Sequence, residues 1–257
     1  MIPLVHDLAD ETVLVVGGGT VATRKVRRFA AEARVIVVSP TFADALRSLA
    51  DDRSAHRSGD EDRSNDADGF DDTDRSTAVA SSIELVRHSL DPSDLRQWVD
   101  RTSPALVIAA TDDPAVNAAA EAAAREHGAL VNRTDESGSR DAGSVVVPAT
   151  IEDGPVTVAI TTGANSPALA RHLRERIETE IEGAGELARI TAELRTELAD
   201  RDVDPDTRRE AIRSVVRSPD VWKALHVGGT NPRQTARRIV ERTCNEDGMR
   251  TNREEGT

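Results

Sequence analysis

The sequence predicts an α/β protein whose first half is a doubly wound parallel sheet. Short apolar, β-branched runs, such as Thr12–Val16 and residues 34–38, alternate there with segments of helical periodicity. Runs of this kind are typical of strands buried between two layers of helices. The first run passes directly into the glycine-rich stretch GGGTVATRK. Because the alternation is sustained, a parallel sheet is the expected architecture.

Further strands and helices extend this alternation to about residue 131. The longest helix begins at a proline, and Gly128 is suited to end it. The strands are predicted at residues 83–86, 105–109 and 129–131, and the helices at residues 21–31 and Pro114–His127.

The pattern changes beyond Asn132. Residues 144–149 and 156–161 read as two strands joined by a turn-forming cluster, and most of the remainder is helical, including Pro205–Val216 and residues 232–244. Two short strands with apolar faces need a partner sheet, so we expect them to form a homodimer interface. The predicted organisation is a dinucleotide-binding domain at residues 1–143, a dimerisation region at 144–165, a helical domain at 166–244 and a flexible tail at 245–257.

Residues 51–82 interrupt the first domain with a different composition. They are rich in Asp, Ser, Arg and Gly and have almost no hydrophobic periodicity. Such a segment cannot bury enough apolar surface to offset the entropy lost on ordering. We therefore expect a disordered, acidic surface insertion.

Charge and cysteine usage limit the partners of the protein. The 257 residues carry a net charge of −13, with Lys25 and Lys223 as the only lysines. This acidic, lysine-poor composition suits a halophilic protein and disfavours nucleic acid or an anionic membrane as partner. Cys244 is the single cysteine, and the histidines lack metal-ligand spacing, so we expect no metal site. No apolar run approaches the roughly 20 residues of a membrane span, so a cytoplasmic location is expected.

The glycine loop carries the strongest functional signal. Gly17, Gly19 and Ala22 fit the pattern G-x-G-x-x-A between a strand and a helix, with Gly18 inside it. The first glycine permits a tight turn, the second lets the backbone approach a pyrophosphate, and the small alanine permits close helix packing. The pattern predicts a Rossmann domain that binds a nicotinamide dinucleotide at the helix N-terminus.

The position that normally binds the ribose departs from the usual pattern. An acidic residue is expected at the end of the second strand, but Ser39, Pro40 and Thr41 stand there. A hydroxyl group at Ser39 or Thr41 suits either the ribose of NAD or the 2′-phosphate of NADP. Asp44 is a less favoured substitute, so local chemistry leaves the choice of cofactor open.

Two further motifs follow predicted strands and should reach the same sheet edge. In AATDDPAVN, Thr111 is a candidate for the nicotinamide side, and at least one of Asp112 and Asp113 is expected to cap a helix. Asn132 and Asp135 follow the next strand. A carboxylate there suits proton transfer during hydride chemistry, although a loop aspartate is more often a solvated turn residue.

A last motif precedes a helix in the second half. The stretch TTGANSPALARHLRERIE has hydroxyl groups and a glycine before the helix, followed by Arg171, Arg174 and Arg176. This arrangement is typical of an anion-binding helix start or, alternatively, of a capped surface helix.

Taken in order, these motifs and the hairpin segment VVVPATIEDGPVTVAI resemble the precorrin-2 dehydrogenase family, which includes the N-terminal part of siroheme synthases. The resemblance runs from about residue 2 to residue 216. It implies oxidation of precorrin-2 to sirohydrochlorin with NAD, a dimerisation region and a helical region that helps to cover the tetrapyrrole.

The resemblance also implies roles for individual residues. It makes Asp135 the essential aspartate, and it equates Thr162 with a serine of the family. Cofactor contacts carry over to Thr20, Val21, Pro40 and Thr41, beside the glycines. The candidates for contact with the tetrapyrrole are Asn132, Thr162 and Arg171.

Two alternatives stay open at this point. Some relatives also insert iron into sirohydrochlorin, so a combined dehydrogenase and ferrochelatase is the second hypothesis. A non-catalytic module that senses the dinucleotide explains the glycine loop but not the segment around Asp135.

Overall fold

The computed structural model describes residues 3–60, 82–136, 143–163, 165–227 and 230–254, with the backbone alone at 53–60 and 246–254. The chain forms two compact units, Met1–Val147 and Pro148–Thr257. The unit boundary lies close to residue 143, where the predicted first domain ends. The hairpin and the C-terminal helices share the second unit, whereas the sequence analysis divides them at residue 165.

A five-stranded parallel sheet forms the centre of the first unit, as predicted. The strand order is β3-β2-β1-β4-β5. Strands β2 and β3 therefore lie on one side of β1, and β4 and β5 lie on the other. In sheets of this kind the ligand crevice lies at the carboxyl ends of the strands where the order reverses, here between β1 and β4. The strands are β1 (Thr12–Val16), β2 (Arg34–Ser39), β3 (Ile83–Arg87), β4 (Leu106–Ala109) and β5 (Leu130–Arg133).

Helices cover both faces of this sheet, which explains the continuous apolar runs of the strands. Successive residues of β1 point to opposite faces, so Leu14 and Val16 belong to one apolar core and Val13 and Val15 to the other. All four side chains are fully or almost fully buried. The helices are α1 (Thr20–Phe29), α2 (Asp44–Asp60), α3 (Leu95–Thr102) and α4 (Pro114–His127).

Helix α2 continues further than the sequence analysis predicts. The irregular segment was expected from residue 51, but the helix runs through Asp60. Residues 51–60 lack an amphipathic pattern, yet a helix that has already nucleated upstream propagates at a lower cost than a new one. The rest of the predicted insertion, residues 61–81, lies outside the described residues.

The second unit begins with an antiparallel hairpin of β6 (Ala149–Asp153) and β7 (Val156–Ile160). Gly154, at φ 56°, and Pro155 form its two-residue turn, a combination suited to a type II′ turn. The predicted strand at 144–149 is wrong. The segment at Val145 instead joins the first unit, where its N–H donates to the carbonyl of Val131 at 2.7 Å.

Five helices complete the second unit and enclose a third apolar core. Leu187, Ile190, Leu194 and Leu198 present one buried face of α6 to this core, in agreement with their spacing of three or four residues. Helix α8 is not predicted by the sequence pattern, and α9 continues past its predicted end at residue 244. The helices are α5 (Pro167–Glu180), α6 (Ala184–Asp200), α7 (Pro205–Val216), α8 (Pro219–Val227) and α9 (Pro232–Glu254). No helix in the described part of the chain is both long and apolar enough to span a membrane.

The N-terminus of α4 shows which of two adjacent aspartates is the cap. The carboxylate of Asp113 accepts hydrogen bonds from the N–H groups of Ala115 at 2.8 Å and Val116 at 3.4 Å. Asp112 is exposed and forms no hydrogen bond or ion pair with the described residues. The sequence predicts a cap at one or both of these aspartates, and the structure shows that Asp113 is the cap.

Replacing this cap is expected to destabilise the first unit. Asp113→Ala should lower the free energy of unfolding by about 1 kcal/mol, because two N–H groups of the first turn lose their acceptor. The matched control, Asp112→Ala, should change it by less than about 0.5 kcal/mol. Urea unfolding followed by circular dichroism measures both values. Equal losses in the two variants would contradict the assignment of the cap.

Candidate functional site

The glycine loop between β1 and α1 is packed tightly against neighbouring strand ends. Gly17 has φ 114°, and a Cβ atom there would collide with the backbone carbonyl of Ala110 after β4. A Cβ atom on Gly18 would collide with the carbonyl of Thr41 after β2. The Gly17 N–H also donates to the carbonyl of Val38 at 2.9 Å. These contacts require glycine at both positions.

Gly19 differs from the two glycines before it, because space is open around it. An added Cβ atom would meet no atom within 4 Å, and its φ of −83° suits any residue. No side chain caps the ten-residue helix α1, which begins at the exposed Thr20 and Val21. Open space before the uncapped first turn of a helix is what a dinucleotide pyrophosphate requires. The residues present therefore fit the predicted cofactor.

The end of β2 supplies hydroxyl groups where an acid was expected. Ser39 is buried, whereas Pro40 and Thr41 are exposed. Asp44, the less favoured substitute, begins α2 and forms an ion pair with Arg47 at 3.3 Å while its carboxylate remains solvent-exposed. The Asp44 carboxylate is thus already paired within α2.

Thr111, at the end of β4, is held by the buried Asn117 of α4. The Asn117 Oδ1 atom accepts from the Thr111 N–H at 3.1 Å and from its hydroxyl at 2.8 Å. The Asn117 Nδ2 atom donates to the Thr111 carbonyl at 3.0 Å. These bonds fix the loop after β4, and a contact between Thr111 and the nicotinamide stays a prediction.

Asp135, at the end of β5, is paired with Arg133. The Arg133 Nε and Nη2 atoms donate to the two carboxylate oxygens at 3.1 and 2.7 Å. The Asp135 side chain is 23% exposed. Arg133 holds the pKa of Asp135 below its ordinary value; burial opposes this effect, and a hydrogen bond with Asn117 adds to it. Asp135 is therefore a partly accessible carboxylate that keeps its negative charge.

Asn132 lies in β5 and has one unsatisfied buried atom. Its side chain is 3% exposed, and its Nδ2 atom donates to the carbonyl of Val145 at 2.7 Å. Its Oδ1 atom is buried and has no hydrogen-bond partner among the described residues. Buried polar atoms normally have partners, so this oxygen is an exception among the described residues.

The candidates of the second unit lie around the start of α5. The Thr162 hydroxyl donates to the carbonyl of Ser166 at 3.1 Å, and the Ser166 side chain caps the helix through the Leu169 N–H. Arg171 is 81% exposed and pairs with Glu175 at 3.0 Å. Thr162 therefore has a clear local structural role, while the geometry around Arg171 resembles an ordinary helix-surface ion pair.

The structure thus brings most of the predicted residues of the first unit to one sheet edge. The glycine loop follows β1, Thr111 follows β4, and Asp135 follows β5, which are three neighbouring strands. Sequence reasoning missed Arg133 and Asn117. Arg133 is visible in the sequence as the basic residue two positions before Asp135, but the pairing of Asn117 with Thr111 requires the tertiary fold. In the described part of the chain, no group of three His, Cys, Asp or Glu residues could hold a metal ion.

Comparison with known proteins agrees with this architecture. A family described as putative NAD(P)-binding matches residues 4–149, and one described as sirohaem biosynthesis protein central matches residues 153–180. The chain is 34% identical to a siroheme synthase of Methylococcus capsulatus over 87% of its length, which covers 40% of that relative. It is 28% identical to a precorrin-2 dehydrogenase of Methanosarcina barkeri, over 87% of this chain and 86% of that one.

The chain also shares its fold with a solved structure. SirC, precorrin-2 dehydrogenase, has a TM-score of 0.63 and 21% identity, over 94% of this chain and 100% of that one. The first unit thus defines the protein as a dinucleotide-binding protein. More specifically, the chain belongs to the putative NAD(P)-binding family. Its similarity to relatives named siroheme synthase and precorrin-2 dehydrogenase confirms the resemblance. The chain spans about two fifths of the length of the siroheme synthases that it matches.

The contrast between Gly19 and Gly17 predicts separate effects on binding and stability. Gly19→Ala should leave the thermal unfolding midpoint nearly unchanged, because its backbone and surroundings accept a Cβ atom. It should weaken dinucleotide binding by about 10-fold or more, because the methyl group would enter the space for the pyrophosphate. The matched variant Gly17→Ala should instead destabilise the fold by roughly 1–3 kcal/mol. Calorimetric titration and scanning calorimetry measure the two effects, and unchanged binding in Gly19→Ala would contradict the assigned pyrophosphate position.

Proposed function

We propose that the protein is an NAD-dependent dehydrogenase that oxidises precorrin-2 to sirohydrochlorin on the route to siroheme. One observation carries this proposal: a relative named precorrin-2 dehydrogenase matches this chain over 87% of its length and 86% of the relative's own length. The glycine loop after β1 and the Asp135 carboxylate after β5 lie at the same sheet edge, with β4 between the two strands, and support the same chemistry.

The direct test is turnover of precorrin-2 with NAD by the purified protein. Formation of NADH and of sirohydrochlorin in equal amounts is the expected result. A protein that binds NAD but yields neither product would favour the non-catalytic sensing module instead.

Residues 17–21 would hold the dinucleotide, with the pyrophosphate against the N-terminus of α1. When bound, the nicotinamide ring accepts a hydride, which carries two electrons and one hydrogen from the tetrapyrrole, and a second hydrogen leaves as a proton. Asp135 supports this loss in one of two ways. It either accepts the proton or stabilises the positive charge that remains after hydride departure.

Loss of the Asp135 charge should abolish most of the turnover. Asp135→Asn keeps the shape of the side chain but neither accepts a proton nor carries a negative charge, so kcat should fall by roughly 10²-fold or more. NAD binding, measured by titration calorimetry, should be retained. Asp112→Asn is the matched control, since this exposed neighbour of the cap has no bond to the described residues. Near wild-type turnover in Asp135→Asn would show that Asp135 is only a loop residue.

NAD is expected to be preferred over NADP, on the strength of the family resemblance. The hydroxyl groups at Ser39 and Thr41 do not themselves decide the choice, and no arginine stands among residues 39–41 to receive a 2′-phosphate. Comparing kcat/KM for the two cofactors at the same salt concentration tests the preference. A higher kcat/KM for NADP would overturn it.

We also propose that the protein is a homodimer through its hairpin. Val156, Val158 and Ile160 alternate as half-buried residues along β7, and within the described residues each hairpin strand pairs only with the other. An isolated two-stranded sheet is marginally stable, so a partner sheet would bury these apolar faces. Analytical ultracentrifugation in high salt should give a dimer at micromolar concentration, and Val158→Asp should shift it towards monomer. A monomeric wild-type protein would refute the proposal.

Iron insertion is the second candidate activity. Seven of the relatives are named siroheme synthase, although the chain spans about two fifths of their length. Incubating the protein with sirohydrochlorin and ferrous iron, with and without Asp135→Asn, tests this activity. Loss of both activities in that variant would indicate one shared tetrapyrrole site.

A further inference from the structure

Arg133 is a largely buried arginine that contacts three carboxylates. Its side chain is 11% exposed. Besides the two bonds to Asp135, its Nη1 atom lies 3.1 Å from Glu121 of α4 and 2.9 Å from Glu136. All three nitrogen atoms of the guanidinium therefore contact a carboxylate. Such an arginine cannot turn away from Asp135 without breaking its bonds to α4 as well.

Asp135 is fixed through both its side chain and the backbone before it. Arg133 donates to both carboxylate oxygens, and the N–H of Thr134 donates to the carbonyl of Ala109 at 3.0 Å. A bidentate pair fixes the direction of a carboxylate as well as its charge. Because its pKa lies below the ordinary value of 3.8, the carboxylate is a weaker proton acceptor than a free aspartate.

Arg133 and Asp135 belong to a larger cluster of charged side chains. Glu121 and Glu136 face Arg133, and Arg125 of α4 pairs with Glu121 at 2.6 Å. Of the three carboxylates that contact Arg133, Asp135 and Glu136 follow β5, and Asp135 is the one that Arg133 holds by both oxygens. A fixed negative charge in such a place stabilises positive charge that develops on a substrate.

We propose that Arg133 positions Asp135 for the reaction, so that Asp135 acts as a fixed negative charge and not as the group that accepts the proton. The inference rests on the proposed function and chooses between the two roles left open there. In the balanced step, a C–H bond of the tetrapyrrole breaks, its electron pair and hydrogen leave as hydride for the nicotinamide, and the second hydrogen leaves as a proton to water. Asp135 stays unprotonated throughout.

The pH dependence of kcat follows from the direction in which the pKa of Asp135 is shifted. A carboxylate with a lowered pKa in the folded protein stabilises the fold fully above its unfolded value, and this contribution is lost only as the pH falls through the lowered pKa. Protonation of Asp135 should therefore produce no change in kcat across the neutral range. An acid limb of kcat that lies in the neutral range and disappears in Asp135→Asn would identify Asp135 as the proton acceptor and overturn the proposal.

Substitution of Arg133 tests the positioning role directly. In Arg133→Gln, the Asp135 pKa, measured by 13C NMR of its carboxyl carbon, should rise, and kcat should fall roughly 10- to 100-fold because the carboxylate is no longer held in place. Arg125→Gln is the matched control: it removes one guanidinium from Glu121 without touching Asp135, so the Asp135 titration should stay as in the wild type. Asp135→Asn assigns the NMR signal.

A conservative variant keeps the test valid if Arg133→Gln does not fold. Arg133→Lys retains the positive charge but not the two-pronged contact, so it should keep the fold and show an intermediate kcat. An unchanged Asp135 titration, or full kcat in either Arg133 variant, would overturn the proposal. The NMR titration needs no substrate. If the wild-type protein fails to oxidise precorrin-2, the proposed function is rejected, but the effect of Arg133 on the pKa of Asp135 is still tested.

Discussion

The first unit depends on the burial of β1 from both sides. This strand has a parallel neighbour on each edge and a helical layer on each face, and four of its five side chains are almost completely removed from water. Full burial of an aliphatic side chain is worth about 1.5–3 kcal/mol, so these residues anchor the sheet. The position of the strand also sets the site, because the chain leaves β1 through the glycine loop at the point where strand order reverses.

Close packing at that exit explains why small residues occupy it. Gly17 and Gly18 lie against backbone carbonyls that follow β4 and β2, whereas Gly19 faces open space. The first two glycines thus serve the fold, and the third leaves room for a ligand. One short sequence motif therefore meets a structural requirement at Gly17 and Gly18 and a binding requirement at the next residue, Gly19.

Charge is organised differently at the site and on the rest of the surface. Several ion pairs of the described residues join exposed arginines to acids one helical turn away, such as Arg213 with Glu210, and pairs of this kind contribute little to stability. Arg133 is instead largely buried and joins β5, α4 and the loop after β5. In a protein with a net charge of −13, a buried arginine among three carboxylates is the means by which an acidic cluster is kept at the sheet edge.

The parallel sheet, the glycine loop and the bounds of α4 and α7 follow from the sequence alone, because apolar periodicity, caps and turn residues are local signals. Thr12–Val16, Pro114–His127 and Pro205–Val216 begin and end where those signals predict. Local signals failed where long-range contacts decide the outcome. Residues near Val145 were read as a strand of the hairpin but pair with Val131, and α8 is too short for periodicity to mark it. The partnership of Arg133 with Glu121 and Asp135 was decided only by tertiary structure, since α4 and β5 must pack together before a buried guanidinium can meet both carboxylates.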